Sequence, residues 1–231
     1  MTRLDSSLSE IITIVFVIHE KTSNPDEKEL SELQSTRYGK LPMIIVNTHT
    51  EASSLEQTTQ QNIKLYQTKV FPHKLGLSQV ETEYVLYSDY KYAKEILTSQ
   101  VIENGLRYLT EFGVDIISGG NEPIGLREEN SKIGACHSKF PLNKELTKLG
   151  HDCFRSQVGD DRMFLGSSLE ARKIVLGTRS HHAVEFWEVG KQMGTRVAVC
   201  PMMGEFLGKK DVVRERYSNY VQSNNLFCMD V

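Results

Sequence analysis

The chain has 231 residues, enough for one α/β domain with a sizeable core, and its 39% apolar and 25% charged content is that of an ordinary globular protein. A formal net charge of -3 and a pI near 6.2 argue against a basic nucleic-acid-binding surface, so no nucleic-acid partner is expected. The longest apolar run, Ile11 to Ile18, is too short to span a bilayer, and the first ten residues lack the apolar core of a signal peptide, so no membrane segment is expected in this chain.

Strand and helix signals alternate along the first half. Ile11–Ile18 is apolar and rich in β-branched residues, which predicts a central strand ending at His19-Glu20. Asp26 to Arg37, rich in Glu, Lys and Leu, predicts a surface helix. Met43–Val46 predicts a second buried strand, Glu51–Gln61 a polar helix, Ile63–Tyr66 a short strand and Lys74–Val80 a helical turn. Tyr84–Tyr87 predicts the next strand, ending at Ser88-Asp89. From Ala93, the residues Leu97, Val101, Gly105, Tyr108 and Phe112 recur at helical spacing, and Gly113 supplies a stop. Val114–Ser118 predicts a strand closed by Gly119-Gly120.

The second half is less regular. Residues 121–159 read as a long excursion, Arg162–Leu165 as a strand, and Ser168–Val175 as a short helix capped by Ser167 or Ser168. His182–Met193 predicts an amphipathic helix, Arg196–Cys200 a last strand and Lys209–Tyr220 a charged helix. The expected fold class is therefore α/β: a Rossmann-like, mostly parallel sheet with helices on both faces and an irregular C-terminal half.

Ligands of open α/β sheets bind at the carboxyl ends of the strands, here His19-Glu20, Asn47-Thr48-His49, Ser88-Asp89-Tyr90-Lys91 and Gly119-Gly120. The glycine fingerprint of dinucleotide folds is missing after the first strand. The phosphate loop of P-loop enzymes and the G-x-S-x-G of serine hydrolases are missing everywhere. Of the four cysteines, Cys136, Cys153, Cys200 and Cys228, no two form a C-x-x-C, which argues against a zinc ribbon.

The stretch from Gly76 to Asp89 resembles the segment before the aspartate motif in glycosyltransferase family 2, in particular the ganglioside-type β-1,4-N-acetylgalactosaminyltransferases. The residues that carry the likeness are Ser78-Gln79-Val80, Thr82 and Tyr84-Val85-Leu86. Further pieces follow in order: Gly134-Ala135-Cys136 and Cys153, Arg162-Met163-Phe164-Leu165, Glu185-Phe186-Trp187 with Gly194, and Arg196 to Cys200. The resemblance spans about residues 11–205 and implies a single GT-A-type domain over 1–231. Residues 10–120 would form its nucleotide-sugar half, 121–207 its acceptor half and 208–231 a terminal helix and tail.

The resemblance implies transfer of a hexosyl or N-acetylhexosaminyl group from a UDP-sugar to a glycan or glycolipid hydroxyl, with inversion, in the Golgi lumen. It implies a divalent cation, Mn or Mg, held on the diphosphate by a D-x-D pair, and a carboxylate that deprotonates the acceptor. Asp89 matches the first aspartate and is the expected metal and donor ligand; Glu185 matches the base. Tyr90 and Lys91 replace the next two acids, Thr48 or His49 stands where the nucleoside-holding aspartate is expected, and no late histidine ligand lies near Glu205. Lys91, Thr48 and His49 are accordingly the remaining donor-side residues. A lysine can supply positive charge to phosphate directly, so a metal-free mechanism through Lys91 is one expectation. The altered acids leave two readings open: an active inverting transferase, or a catalytically silent GT-A module used for binding or scaffolding.

Simpler roles stand beside these. Phe186 and Trp187 read as core before sugar-stacking platforms; His181 and His182, being adjacent, point to different faces. Asp160-Asp161 precedes a strand and reads as an acceptor-side turn. By the resemblance, Cys136 and Cys153 are either a disulfide or two free thiols.

Overall fold

The structure is a computed structural model that describes residues 3–19, 24–48, 57–60, 62–68, 71–119, 148–151, 153–156, 159, 163–179, 183–200 and 203. Helix α1 (Arg3–Ile11) runs directly into strand β1 (Ile12–Ile18). Every residue of β1 is buried. Ile12, Ile14, Phe16 and Ile18 enter one apolar cluster, and Val15 and Val17 enter a second on the opposite face. A strand covered on both faces must be apolar at both parities, which is why no alternation marks it in sequence.

Helix α2 (Glu27–Gln34) opens on a capping box. Asp26 Oδ1 accepts the Glu29 N–H at 2.8 Å and Glu29 Oε2 accepts the Asp26 N–H at 3.2 Å. Strands β2 (Met43–Asn47), β3 (Gln57–Gln60) and β4 (Ile63–Gln67) follow, then helix α3 (Pro72–Ser78) and strand β5 (Tyr84–Asp89). A 3-10 turn (Tyr90–Tyr92) leads to α4 (Ala93–Thr98) and α5 (Val101–Phe112), then β6 (Ile116–Ser118), β7 (Lys148–Gly150), β8 (Cys153–Ser156) and β9 (Met163–Ser167). Helices α6 (Ser168–Gly177) and α7 (Ala183–Gln192) and strand β10 (Val197–Val199) complete the described elements.

The strands form one sheet in the order β3-β4-β2-β1-β5-β9-β6-β10-β8-β7. Neighbours from β4 through β2 and β1 to β5 are parallel. Strand β9 runs antiparallel between β5 and β6, and β10 is parallel to β6. Residues of α2, α4 and α5 fill the cluster on one face, and residues of α3, α6 and α7 fill the cluster on the other. This is the expected α/β, Rossmann-like, mostly parallel plan with helices on both faces.

Three expectations change. The polar helix placed at Glu51–Gln61 is instead, over Gln57–Gln60, a strand antiparallel to β4 at the end of the sheet. Backbone pairing holds such an edge whatever its side chains are, so Gln-Thr-Thr-Gln gives no apolar signal. The helix from Ala93 breaks into α4 and α5, because Ser99 takes an extended backbone between them. Gly113 then ends α5 in the left-handed region at φ 57°, as expected. Third, Cys153 is joined to Cys200 and not to Cys136. Val199 lies opposite Phe154 in the β10–β8 pairing, so the residues one step further along, Cys200 and Cys153, face each other. Cys136, the terminal helix at 209–220, Asp160-Asp161 and His181-His182 lie outside the described residues. Among the described residues, no helix is long and apolar enough to cross a membrane.

Candidate active site

Strand order fixes where a ligand site belongs. From β1 the chain steps to β2 and β4 on one side and returns through α3 to β5 on the other, so the connection reverses between β1 and β5. The crevice beyond the carboxyl ends of two such strands is the usual binding place of open α/β sheets. In the β1–β5 pairing Val17 lies opposite Asp89, which puts His19 and Asp89 side by side at that point.

Asp89 is 5% exposed. A buried carboxylate needs compensating partners. His19 Nε2 donates to its Oδ1 at 3.2 Å, and Lys91 Nζ stands 4.0 Å from its Oδ2. The 3-10 turn after β5 brings Lys91 back to the strand end, with Nζ 5.1 Å from the centre of the Tyr92 ring. Tyr90, between Asp89 and Lys91, turns to the other cluster, edge-on to Phe16. Burial, with the charges of Glu29 and Asp26, pushes its phenol well above the ordinary value, so it stays neutral.

Helix α3 adds His73. Gly76 lets α3 lie close on the sheet: a Cβ there would stand 2.7 Å from Val15 Cγ1 and 3.2 Å from Val46 Cγ2. At the start of the helix the His73 ring packs 5.8 Å, centroid to centroid, from that of His19, and its Nδ1 makes a short hydrogen bond with the Tyr87 hydroxyl. Lys74 ties the helix sideways, donating to the Thr178 carbonyl at 2.6 Å.

The expected site residues divide accordingly. Asp89 and Lys91 are together. Thr48 closes the neighbouring strand end, its hydroxyl donating to the Ile18 carbonyl at 2.9 Å; His49 lies outside the described residues. Glu185 is in the first turn of α7, where Oε1 accepts the Arg179 N–H at 2.7 Å and fastens the connection from α6. Its neighbour Phe186 stacks on Phe164 at 5.2 Å, and Phe164 on Tyr87 at 5.1 Å. Trp187, 2% exposed, is core, as expected, and Phe186 is partly buried against the same cluster. His19, legible as a strand end, and His73, which had no signal of its own in the sequence, stand beside these residues.

Among the described residues, the donor set at Asp89 does not fit Mn or Mg. Such ions want several carboxylate or other oxygens, and here one carboxylate is paired with His19 at 3.2 Å and faces Lys91 at 4.0 Å. Among the described residues, no group of three or more His, Cys, Asp and Glu is arranged to hold a metal ion.

No family model matches the chain, and no curated protein matches it. Solved structures resemble it distantly. A fragment of S. aureus TarS in complex with UDP-GlcNAc is 14% identical with a TM-score of 0.44, over 82% of this chain and 55% of that one. The mannosyltransferase PcManGT from Pyrobaculum calidifontis, in complex with GDP-Man and Mn2+, is 13% identical with a TM-score of 0.45, over 81% and 56%. The bifunctional IspDF from Campylobacter jejuni is 10% identical with a TM-score of 0.45, over 82% and 49%. The chain therefore spans about half the length of these proteins, and likeness this distant says nothing of substrate.

Proposed function

We propose that the chain is a single GT-A-type domain that moves a hexosyl or N-acetylhexosaminyl group from a UDP-sugar to a glycan or glycolipid hydroxyl with inversion. The observation that carries this reading is Asp89, buried at the reversal point of the sheet with His19 and Lys91 on its two oxygens. The sequence resemblance around Asp89 and Glu185 supports it. In this reading the diphosphate lies beyond β1 and β5, and Lys91 meets part of the negative charge that grows on the leaving group. Glu185 takes the proton of the acceptor hydroxyl while the acceptor's hydroxyl oxygen bonds to the anomeric carbon from the face opposite UDP. The bond from that carbon to UDP breaks, and its electron pair leaves with UDP. No step runs through a divalent cation, because the residues at Asp89 do not suit one.

Titration calorimetry with UDP, with and without manganese, tests the reading together with a turnover assay over UDP-sugars. Metal-free binding and turnover are expected, with Lys91→Ala weakening UDP at least tenfold. One observation favours a second reading, the catalytically silent module: the Glu185 carboxylate is occupied by the Arg179 N–H. UDP binding without any turnover would select it, and no UDP binding at all would remove the donor site altogether. The Cys153–Cys200 bridge supports residence in an oxidising compartment, in keeping with a Golgi lumen.

A further inference from the structure

The strand ends next to Asp89 carry neutral polar side chains. Gln67 closes β4 opposite Asn47, which closes β2 opposite Ile18 of β1. By the alternation of each strand, Gln67 shares the face of Ile63 and Leu65, and Asn47 that of Met43 and Ile45, both on the α2 side of the sheet. The neighbours of Gln67 are engaged. Asn47 Nδ2 donates to Asn24 Oδ1 at 2.6 Å, and the Thr48 hydroxyl donates to the Ile18 carbonyl. Gln67 differs: it is 8% exposed, yet among the described residues its amide has no hydrogen-bond partner. The atoms sealed away from water without a partner do not include it, so the end of the amide still touches solvent. A buried amide left unpaired costs free energy that a complementary ligand edge recovers.

We propose that Gln67 is the residue that reads the base of the nucleotide, pairing its side-chain amide with the imide edge of uracil. The proposal rests on the donor reading above and deepens it by naming what selects the base. A glutamine amide presents an N–H donor beside a carbonyl acceptor. The imide edge of uracil presents the complement, an N–H beside a carbonyl oxygen. The amide oxygen accepts from the uracil N–H, and the amide N–H donates to the uracil carbonyl. No charge is involved on either side.

Position and charge agree with this. Strands β2 and β1 lie between β4 and β5, so three spacings of about 4.8 Å separate the two strand ends. An extended nucleoside diphosphate, met by Gln67 at one end and by the Lys91 ammonium at the other, covers that distance. The start of α2 is acidic, with Asp26, Glu27 and Glu29 against Lys28 alone. Burial and then the charges of Glu29 and Asp26 push the Tyr90 phenol up, so that acidic field reaches the strand ends on the α2 side. It repels a diphosphate and leaves a neutral base undisturbed. The end of β4 is also fixed, because the Tyr66 hydroxyl donates to Gln79 Oε1 at 3.2 Å on the opposite face.

The test is titration calorimetry on the full chain with UDP, uridine and UDP methylated on the imide nitrogen as separate probes. The parent should bind UDP about tenfold more tightly than the methylated nucleotide, the worth of one hydrogen bond at a buried site. Gln67→Leu should weaken UDP and uridine about tenfold and narrow the gap between UDP and its methylated form. Its thermal midpoint should not fall, since the change removes an unpaired buried amide. Gln67→Met, unbranched and of the same length, serves if the leucine variant does not fold. Equal affinity of the parent for UDP and methylated UDP overturns the proposal. UDP binding that both Gln67 variants leave unchanged also overturns it and keeps the donor site. Uridine binding that needs Gln67, with no gain from the diphosphate, keeps the base reader and removes the donor reading. Failure of both UDP and uridine to bind the parent overturns the two together.

Discussion

Two aspartates of this chain lie at opposite ends of the sheet and serve differently. Asp89, at the carboxyl end of β5, is buried and faced by the more exposed His19 and Lys91. Asp115, just before the amino end of β6, is closed on Arg196: Nη2 reaches Oδ1 at 2.7 Å, and Nε and the backbone N–H reach Oδ2 at 3.1 and 2.8 Å. These hydrogen bonds, the side-chain ones foremost, hold the Asp115 carboxyl below its ordinary value of 3.8. A carboxyl lowered by folding contributes stability that is complete above the unfolded value and lost as pH falls through the folded one. Asp115→Asn should therefore lower the urea midpoint at pH 7, and the gap to the parent should close as pH falls below 3.8. A gap independent of pH would show that the charge contributes nothing.

Helix α3 packs on the sheet beside the candidate site. It is short, it brings His73 over β1 and β5, and its distance from the sheet is set by Gly76 against Val15 and Val46. Gly76→Ala must displace the helix or those valines, at a cost of about 1–3 kcal/mol. The expected outcome is a lower unfolding free energy together with weaker UDP binding, since α3 packs beside the proposed donor site. Loss of stability with binding intact would separate α3 from the site. Helix α2 offers a second case: Asp26→Ala removes the capping box and should cost about 1 kcal/mol. Denaturant titration and calorimetry on the same samples check both.

Across the whole molecule, the Cys153–Cys200 bridge closes a loop with a sequence separation of 47 and fastens β8 to the end of β10. Both cysteines are fully buried. Replacing both by alanine should cost about 2–4 kcal/mol by the loop-closure argument. Peptide mapping without reductant should recover the Cys153 and Cys200 peptides joined. A Cys136–Cys153 peptide, or free thiols at both buried positions, would contradict the bridge.

The sequence by itself determined the alternation of strands and helices through the first half, because two-sided burial demands unbroken apolar runs such as Ile12–Ile18, and amphipathic helices such as α5 leave a periodic trace. It also placed Asp89 and Lys91 together, since a single turn of chain separates them. The edge strand Gln57–Gln60 left no trace, because backbone bonds alone pair it. Pairing of Cys153 with Cys200 follows from the antiparallel register of β8 on β10, which lies in neither segment alone. His73 reaches His19 because α3 packs where the sheet reverses direction, and Glu185 is engaged with Arg179 because α7 follows α6 closely. These juxtapositions join residues far apart in the chain or on separate elements, and packing decides them where local periodicity has no reach.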